Sequence, residues 1–461
     1  MAIRNRHMPR HLRPAIAVAV VVALVAAFAL RATLMTAPAG PGTTASNSVA
    51  VSGTTATASS TASSTASSAA SSPASQFPLS TPFPVWSAPA TATPTAVSSL
   101  DPCQEVPATV TQPYVRNISG GVAVTDPSGA GNVKWSPDGR HLLVSGDTSV
   151  ELFDNAGTVL AQIDGVVATT WIDSNTYATA TDCTSGGSIG RVTIHRLEGS
   201  ATLLDGQYDS SSLVGSGHGA VALSQRSLES PQGKPSFVVW AAGRISRAIS
   251  GEPVAWSPDG SRLLVQADTA WGTPAPAQLR AYPGLAVATS FAGVMISPIG
   301  APPVFSPDGR LIAAPCGMSE AVYYCTSMVL DAATGTSQVV TPGQADGLPM
   351  SWLSNGHLLL QPDNTPAAAI FHEWDGARVG NSKLPAGSWA VASPTGRLVA
   401  IGTSPDPASG STLVVTATGT PVAQLPGTGA SWWGVSWSDD GTHVAVWDDV
   451  QQELDLVRVA A

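Results

Sequence analysis

Short apolar runs alternate with small polar turns through most of the chain after residue 100. Runs such as Leu-Leu-Val at 142–144 and 263–265 are separated by turns that are rich in Gly, Pro, Asp and Ser. Apolar runs of this length, bounded by turn residues, predict β-strands. We therefore predict an all-β domain over residues 101–461.

One turn recurs eight times, and an aromatic or small apolar residue opens it. The spacings between successive copies are 36, 44, 41, 49, 47, 40 and 45 residues. The copies are Trp135–Gly139, Trp171–Asn175, Gly215–Gly219, Trp256–Gly260, Phe305–Gly309, Trp352–Gly356, Ala392–Gly396 and Trp437–Gly441. A period in the forties predicts a repeat architecture with one supersecondary unit in each period.

The residue types of the turn have separate physical roles. Ser accepts backbone hydrogen bonds, Pro presets φ, and Gly takes a positive φ. The large residue before the turn is expected to end an inner strand and pack between neighbouring repeats. The residues that we assign to these structural roles, in the turn or before it, are Trp135, Asp138, Gly139, Trp171, Trp256, Asp259, Gly260, Phe305, Asp308, Gly309, Trp352, Gly356, Gly396, Trp437, Asp440 and Gly441.

Each period has room for four strands, which is the content of one β-propeller blade. Eight copies predict a single propeller of eight four-stranded blades, and seven is the alternative because the copy at Gly215 is weak. The chain after Gly441 offers only two further strands. We expect residues 120–126, GGVAVTD, to pair with the C-terminal strand and supply the missing outer strand.

The repeats resemble those of a known class. Trp135–Gly139, Trp256–Gly260 and Phe305–Gly309 are similar to the WSPDG-type repeats of the PD40 (WD40-like) class in TolB-like propellers. The stretch VKWSPDGRHLLVSGDTSVELFDNAGTVLAQI also resembles a WD40 blade. The resemblance covers about residues 118–461, and it implies a propeller that serves as an interaction platform.

The N-terminal hundred residues have a different composition. Four arginines precede an apolar run, and no charged residue occurs between Ala32 and Leu100. We read residues 1–14 as a cytoplasmic basic flank and 15–36 as a transmembrane signal-anchor, with a cleaved signal peptide as the alternative. Residues 37–100, rich in Ser, Thr, Ala and Pro, are expected to form a disordered linker. The propeller would then lie outside the cell membrane, or be secreted if the leader is cleaved.

The charge balance argues against nucleic acid as a partner. Five of the 21 basic residues lie in the first 31 positions, which leaves 16 basic against 31 acidic residues in the rest of the chain. A nucleic-acid-binding surface needs clustered Lys and Arg to replace counterions. We expect no nucleic-acid partner.

Several short motifs suggest chemistry, but their context favours structural roles. Gly186–Gly190 fits G-x-S-x-G without the strand-to-helix elbow that a nucleophile needs. His141, His357 and His443 occupy equivalent repeat positions, which lie far apart in a ring. The acid pairs Asp439–Asp440 and Asp448–Asp449 fall in a repeat turn and a hairpin. We assign no catalytic, cofactor-binding or metal-binding residue, and no cofactor.

The four cysteines suit an oxidising compartment. Cys316 and Cys325 flank eight residues between two strands, and we predict a disulfide between them. Cys103 and Cys183 are left to pair with each other or to remain free.

These features favour a membrane-tethered, monomeric binding or scaffold module for a protein or glycan partner. One alternative is a glycosidase- or lyase-like propeller enzyme with a site in the central channel. A second alternative is a sensor ectodomain.

Overall fold

The computed structural model describes Cys103 and most of the chain that follows it. The described ranges are 105–125, 132–146, 149–183, 189–209, 212–225, 235–267, 276–292, 303–315, 327–340, 349–360, 370–403, 410–426, 435–448 and 453–459, with single residues at 294, 296 and 451. The predicted leader (1–36) and linker (37–100) lie outside the described residues, as do Cys316 and Cys325.

The described residues form eight antiparallel sheets, which we number as blades in chain order. Blade one contains β4 (Asn132–Trp135), β5 (His141–Ser145), β6 (Ser149–Asp154), β7 (Val159–Asp164) and, at its outer edge, β1 (Val106–Pro107). Blade two contains β8 (Val166–Asp173), β9 (Thr176–Asp182), β10 (Ile189–Arg196), β11 (Ala201–Leu203) and β12 (Tyr208–Asp209). Blade three contains β13 (Leu213–Gly215), β14 (Ala220–Gln225), β15 (Ser236–Ala241), β16 (Arg244–Ile245) and β17 (Ile249–Ser250). Blade four contains β18 (Glu252–Trp256), β19 (Arg262–Gln266), β20 (Ala277–Ala281) and β21 (Ala286–Phe291).

The remaining four sheets follow the same order. Blade five contains β22 (Val304–Phe305), β23 (Leu311–Pro315), β24 (Ser327–Asp331) and β25 (Ser337–Val339). Blade six contains β26 (Pro349–Trp352), β27 (Leu358–Leu360), β28 (His372–Trp374) and β29 (Val379–Asn381). Blade seven contains β30 (Trp389–Ala392), β31 (Leu398–Gly402), β32 (Ser411–Thr416) and β33 (Pro421–Pro426). Blade eight contains β34 (Val435–Trp437), β35 (His443–Asp448), β36 (Glu453–Arg458), β3 (Gly121–Thr125) and β2 (Tyr114–Ile118).

The prediction of an all-β propeller with eight blades is confirmed, and the seven-blade alternative is wrong. The weak copy at Gly215 does form a blade, because the Ser216 hydroxyl accepts hydrogen bonds from the backbone N–H groups of His218 and Ala220, both at 3.0 Å. Within the described residues all regular structure is β-strand. That part of the chain contains no helix of the length and apolar character needed to cross a bilayer.

The apolar core lies between adjacent blades. Alternate residues of each strand face opposite sides of the sheet, so each blade packs against both of its neighbours. One buried cluster, for example, joins Trp135 and Val144 of blade one with Trp447 and Leu456 of blade eight. The ring is therefore held together by side chains that alternate along the strands.

The turn tryptophans add a hydrogen bond to this packing. Each indole N–H donates to the carbonyl of the preceding blade's inner strand, one residue before the position equivalent to the tryptophan. The donor–acceptor pairs are Trp135 to Ser436 (3.1 Å), Trp171 to Lys134 (3.0 Å), Trp256 to Val214 (2.9 Å), Trp352 to Val304 (2.9 Å) and Trp437 to Val391 (3.0 Å). These bonds give buried indole groups an acceptor while the ring fills the space between blades.

Blade eight closes the ring by the predicted pairing of residues 120–126 with the C-terminal strand. Strand β3 pairs with β36 along its whole length, from Gly121 opposite Val457 to Thr125 opposite Glu453. The expected sharing of this blade by N- and C-terminal segments is confirmed. Strand β2, which was not expected, adds a fifth strand outside β3.

A segment at the start of the described chain connects three blades, and we call Cys103 and residues 105–125 the N-terminal clasp. A disulfide joins Cys103 to Cys183 of blade two, with a Cα–Cα distance of 4.7 Å. Strand β1 then pairs with β7 of blade one, and the β2–β3 hairpin lies on blade eight. Of the two alternatives for Cys103 and Cys183, the structure therefore shows the pair.

Candidate binding cleft between blades seven and eight

The residues that the repeat pattern singled out are distributed around the ring, one set in each blade. In blade one the Ser136 hydroxyl donates to Asp138 at 2.7 Å and accepts from the His141 N–H at 3.0 Å, and Gly139 has a φ of 68°. The same arrangement recurs at Asp259, Asp308 and Asp440, whose carboxylates accept from Ser257, Ser306 and Ser438. Gly260, Gly309, Gly356, Gly396 and Gly441 also have positive φ. These residues build turns at one end of the propeller.

The three equivalent histidines also lie in separate blades. His357 meets Glu373 at 3.0 Å, and the ring of His443 lies 5.5 Å from that of Trp135, centroid to centroid. The Nδ1 atom of His141 is buried without a hydrogen-bond partner among the described residues. Within that part of the chain, no group of three or more His, Cys, Asp or Glu side chains is arranged to hold a metal ion.

A pocket of about 240 Å³ lies between blades seven and eight. Its charged residues are Arg116 on β2, Asp448 at the end of β35, and Glu453 and Asp455 on β36, while Gln424 and Leu425 of β33 line the side of blade seven. We call this pocket the acidic cleft.

Strand alternation places the charged side chains on one face. Leu454 and Leu456 point into the cluster shared with blade one, so Glu453 and Asp455 face blade seven. In the ladder Asp455 lies opposite Ala123, which in turn lies opposite Arg116. Ala123 therefore lies between the two charged residues on the same face of the sheet.

Arg116 neutralises one of the three carboxylates. Its guanidinium forms an ion pair with Glu453, and the same nitrogen lies 3.4 Å from the Gln451 Oε1. The hydrogen bond and charge of Glu453 raise the pKa of Arg116 above its ordinary value. Asp448 accepts a hydrogen bond from the backbone N–H of Gln451 at 3.0 Å.

Asp455 stands in a different environment. Only 7% of the residue is exposed, and its carboxylate accepts no hydrogen bond from the described residues. Burial, followed by the charges of Asp448 and Glu453, raises the pKa of Asp455 to about 7, and the charge of Arg116 opposes this rise. The cleft therefore contains a buried carboxyl group that changes its charge near neutral pH.

Sequence reasoning found only part of this cleft. The acid pair Asp448–Asp449 was noticed, and the structure places Asp448 in the cleft, whereas Asp449 lies outside the described residues. Arg116, Glu453 and Asp455 were missed. The signal that could have found two of them is the alternation Glu-Leu-Asp-Leu at 453–456, which puts two acids on one face of a strand that packs on both sides.

No family model matches the chain, and no curated protein matches it. Among solved structures, a chain from the crystal structure of the mitotic checkpoint complex is similar with a TM-score of 0.43 and 14% identity, over 80% of this chain and 100% of that one. A chain of the Kuenenia stuttgartiensis hydrazine synthase is similar with a TM-score of 0.39 and 16% identity, over 75% of this chain and 99% of that one. The eight antiparallel sheets show a β-propeller fold. What the propeller offers chemically at the acidic cleft is a surplus of negative charge that is partly shielded from water.

Proposed function

We propose that the propeller is a binding module displayed outside the cell membrane, for a protein or glycan partner. In this proposal residues 15–36 anchor the chain, residues 37–100 act as a spacer, and the propeller is monomeric and related to the PD40 and TolB-like class. The basic flank, the apolar run and the uncharged stretch after it support the anchoring. The disulfide between Cys103 and Cys183 is compatible with an oxidising compartment.

The acidic cleft is the observation that carries the binding role. Asp455 is largely withdrawn from water and receives no hydrogen bond from the described residues, so a partner that donates to its carboxylate in the cleft gains free energy. Binding sites generally combine a concave surface with a few polar groups of this kind. We infer that the partner binds in the cleft and donates hydrogen bonds to the carboxylate of Asp455.

The lengths of the connections between strands favour a binding site at the end of the propeller where Asp448 and Glu453 lie. The connections from the first to the second strand of each blade contain two to five residues, whereas those from the second to the third contain three to eleven. Strand direction places Asp448 and Glu453 at the end with the longer connections, opposite the repeat turns. Variable connections on a rigid scaffold are where binding residues concentrate.

Cross-linking on intact cells tests the proposal. The full chain carries an affinity tag at its C-terminus, and material bound to it is purified after cross-linking and identified by mass spectrometry. We expect one protein or glycan to be recovered reproducibly and to be displaced by an excess of untagged chain. Recovery of the tagged chain alone, at cross-linker concentrations that trap known complexes on the same cells, contradicts a binding role.

A further inference from the structure

The charges of the acidic cleft do not balance. Three carboxylates, those of Asp448, Glu453 and Asp455, share the pocket with one guanidinium, that of Arg116. Blade seven contributes only the neutral residues Gln424 and Leu425 to the lining. The cleft is therefore short of positive charge. Glu453 has an ion pair with Arg116, and Asp448 accepts a hydrogen bond from the backbone N–H of Gln451. Asp455 has neither kind of partner among the described residues.

Arg116 also shows which kind of group the cleft accepts. Its guanidinium enters from the outer strand β2, pairs with a carboxylate and reaches an amide oxygen. A planar guanidinium can pair with a carboxylate through two parallel hydrogen bonds, which makes such pairs strong and directional. A second guanidinium that enters beside Arg116 would donate hydrogen bonds of this kind to Asp455 and Asp448.

The size of the cleft distinguishes between partner classes. Its volume of about 240 Å³ lies below the roughly 300–1,000 Å³ of pockets that enclose small-molecule ligands. A space of this size fits one long side chain better than a run of sugar residues. An uncharged sugar would also leave the surplus of negative charge in place.

We propose that the acidic cleft binds a basic side chain of a protein partner, which inserts beside Arg116 and pairs with Asp455. This inference rests on the proposed function as a binding module, and it names the class of partner. The inserted cation supplies the hydrogen bonds that Asp455 lacks and offsets the repulsion among the three carboxylates.

The proposal implies a dependence on pH. A cation binds the ionised form of Asp455, whose pKa is about 7. Affinity should then be nearly constant above pH 8 and should fall as the pH drops through 7, because binding must displace a proton. The expected loss is about tenfold between pH 8 and pH 6.

A pair of matched peptides tests the class of ligand. The probe is acetyl-Gly-Ser-Gly-Arg-Gly-Ser-Gly-amide, and its control carries citrulline, the neutral isostere of arginine, in place of arginine. Binding of each peptide to the full chain is measured by ligand-observed NMR titration at low ionic strength. We expect the arginine peptide to bind at least about tenfold more tightly than the citrulline peptide at pH 8. Equal affinities of the two peptides would overturn the proposal.

Two substitutions act in opposite directions. Asp455→Asn removes the charge that the ligand pairs with and should weaken arginine-peptide binding about tenfold at pH 8, and it should remove the pH dependence. Arg116→Gln removes the positive charge that repels the inserted cation and leaves Glu453 without its partner, so it should strengthen binding. Glu198→Gln, which changes an exposed acid on blade two, controls for overall charge. Unchanged affinity in both cleft variants, each of which melts cooperatively, would refute the assignment.

The outcomes separate this inference from the proposed function. If cross-linking recovers a partner whose capture is insensitive to Asp455→Asn and the arginine peptide does not bind, the binding role stands and the cleft assignment fails. If the arginine peptide binds with the expected dependence on Asp455 and no partner is recovered from cells, the chemistry of the cleft stands and the proposed function fails.

Discussion

Single tryptophans join neighbouring blades through both packing and a directed hydrogen bond. Trp437, for example, is 7% exposed and donates to the Val391 carbonyl of blade seven. Phe305 occupies the same repeat position in blade five without an indole N–H. A large ring thus fills this position in six of the eight blades, and the hydrogen bond adds to the strength of the blade contact where tryptophan is present.

Replacing Trp437 with Phe separates these two contributions. The variant keeps an aromatic ring between the blades but leaves the Val391 carbonyl without its donor. We expect a loss of about 1–3 kcal/mol in the free energy of unfolding, measured by urea denaturation. The matched control is Trp447→Phe, because the Trp447 indole has no acceptor among the described residues and is buried to a similar extent. Equal losses in the two variants would assign the whole effect to ring size.

Asp455 makes the stability of the propeller depend on pH. Its pKa is raised from 3.8 to about 7, so between these values the folded chain holds a proton that the unfolded chain has released. The contribution of Asp455 to the free energy of unfolding is fully present below about pH 4 and is lost as the pH rises through 7.

The Asp455→Asn variant lacks this titration. The free energy of unfolding of the wild-type chain should fall relative to that of the variant between pH 4.5 and pH 8. The loss is at most about 4 kcal/mol, because folding raises the pKa of Asp455 from 3.8 to about 7. Urea denaturation of both proteins at a series of pH values measures the difference. A difference that stays constant across this range would show that Asp455 does not titrate there.

The residue scale is also where sequence reasoning was weakest. The turn residues could be placed because each satisfies local geometry that its neighbours in the chain reveal. The acidic cleft could not, because Arg116 meets Glu453 only after two ends of the chain, 337 residues apart, join in one sheet. Contacts across such separations depend on ring closure, which a local pattern does not specify.

At the scale of strands and blades, the hydrophobic pattern specified most of the fold. Strands β5 and β19 follow their turns directly, and each has three consecutive buried residues between partly buried ends, as the apolar runs predicted. Strand β2 escaped notice because its residues are almost all exposed, which leaves no apolar alternation in YVRNI. An outer strand that packs against little contributes backbone hydrogen bonds and hardly any sequence signal.

Truncation tests how blade eight is completed. A chain that begins at Pro113 keeps the β2–β3 hairpin, whereas one that begins at Gly129 loses both strands and exposes the edge of β36. We expect the first to remain monomeric and to melt cooperatively, and the second to aggregate or to melt at a much lower temperature. A chain that begins at Asn117 keeps β3 alone and should lie between them. Light scattering and calorimetry report both properties, and equal behaviour at Pro113 and Gly129 would mean that β3 is dispensable.

At the scale of the whole molecule, the predicted anchor and linker determine where the propeller resides. Protease added to intact cells should remove the propeller while a cytoplasmic marker protein survives, because the basic flank is expected to stay inside. A tagged full-length chain and immunoblotting follow the cleavage. Complete protection of the propeller, with digestion after the membrane is made permeable, would place it on the cytoplasmic side.

If residues 15–36 anchor the chain as proposed, the N-terminal clasp determines how a pull on that anchor enters the propeller. Tension applied before Cys103 enters the propeller at blade two, through the covalent bond to Cys183, and strands β1, β2 and β3 lie beyond that point and carry none of it. When the bond is reduced, the load moves first to Glu105, whose carboxylate contacts Thr179 and His195 of blade two. It then passes to the short β1–β7 pairing and to the ladder between β3 and β36, which closes the ring. The redox state of one cysteine pair therefore decides whether a pull on the leader is borne by a covalent cross-link or by the strands on which ring closure depends.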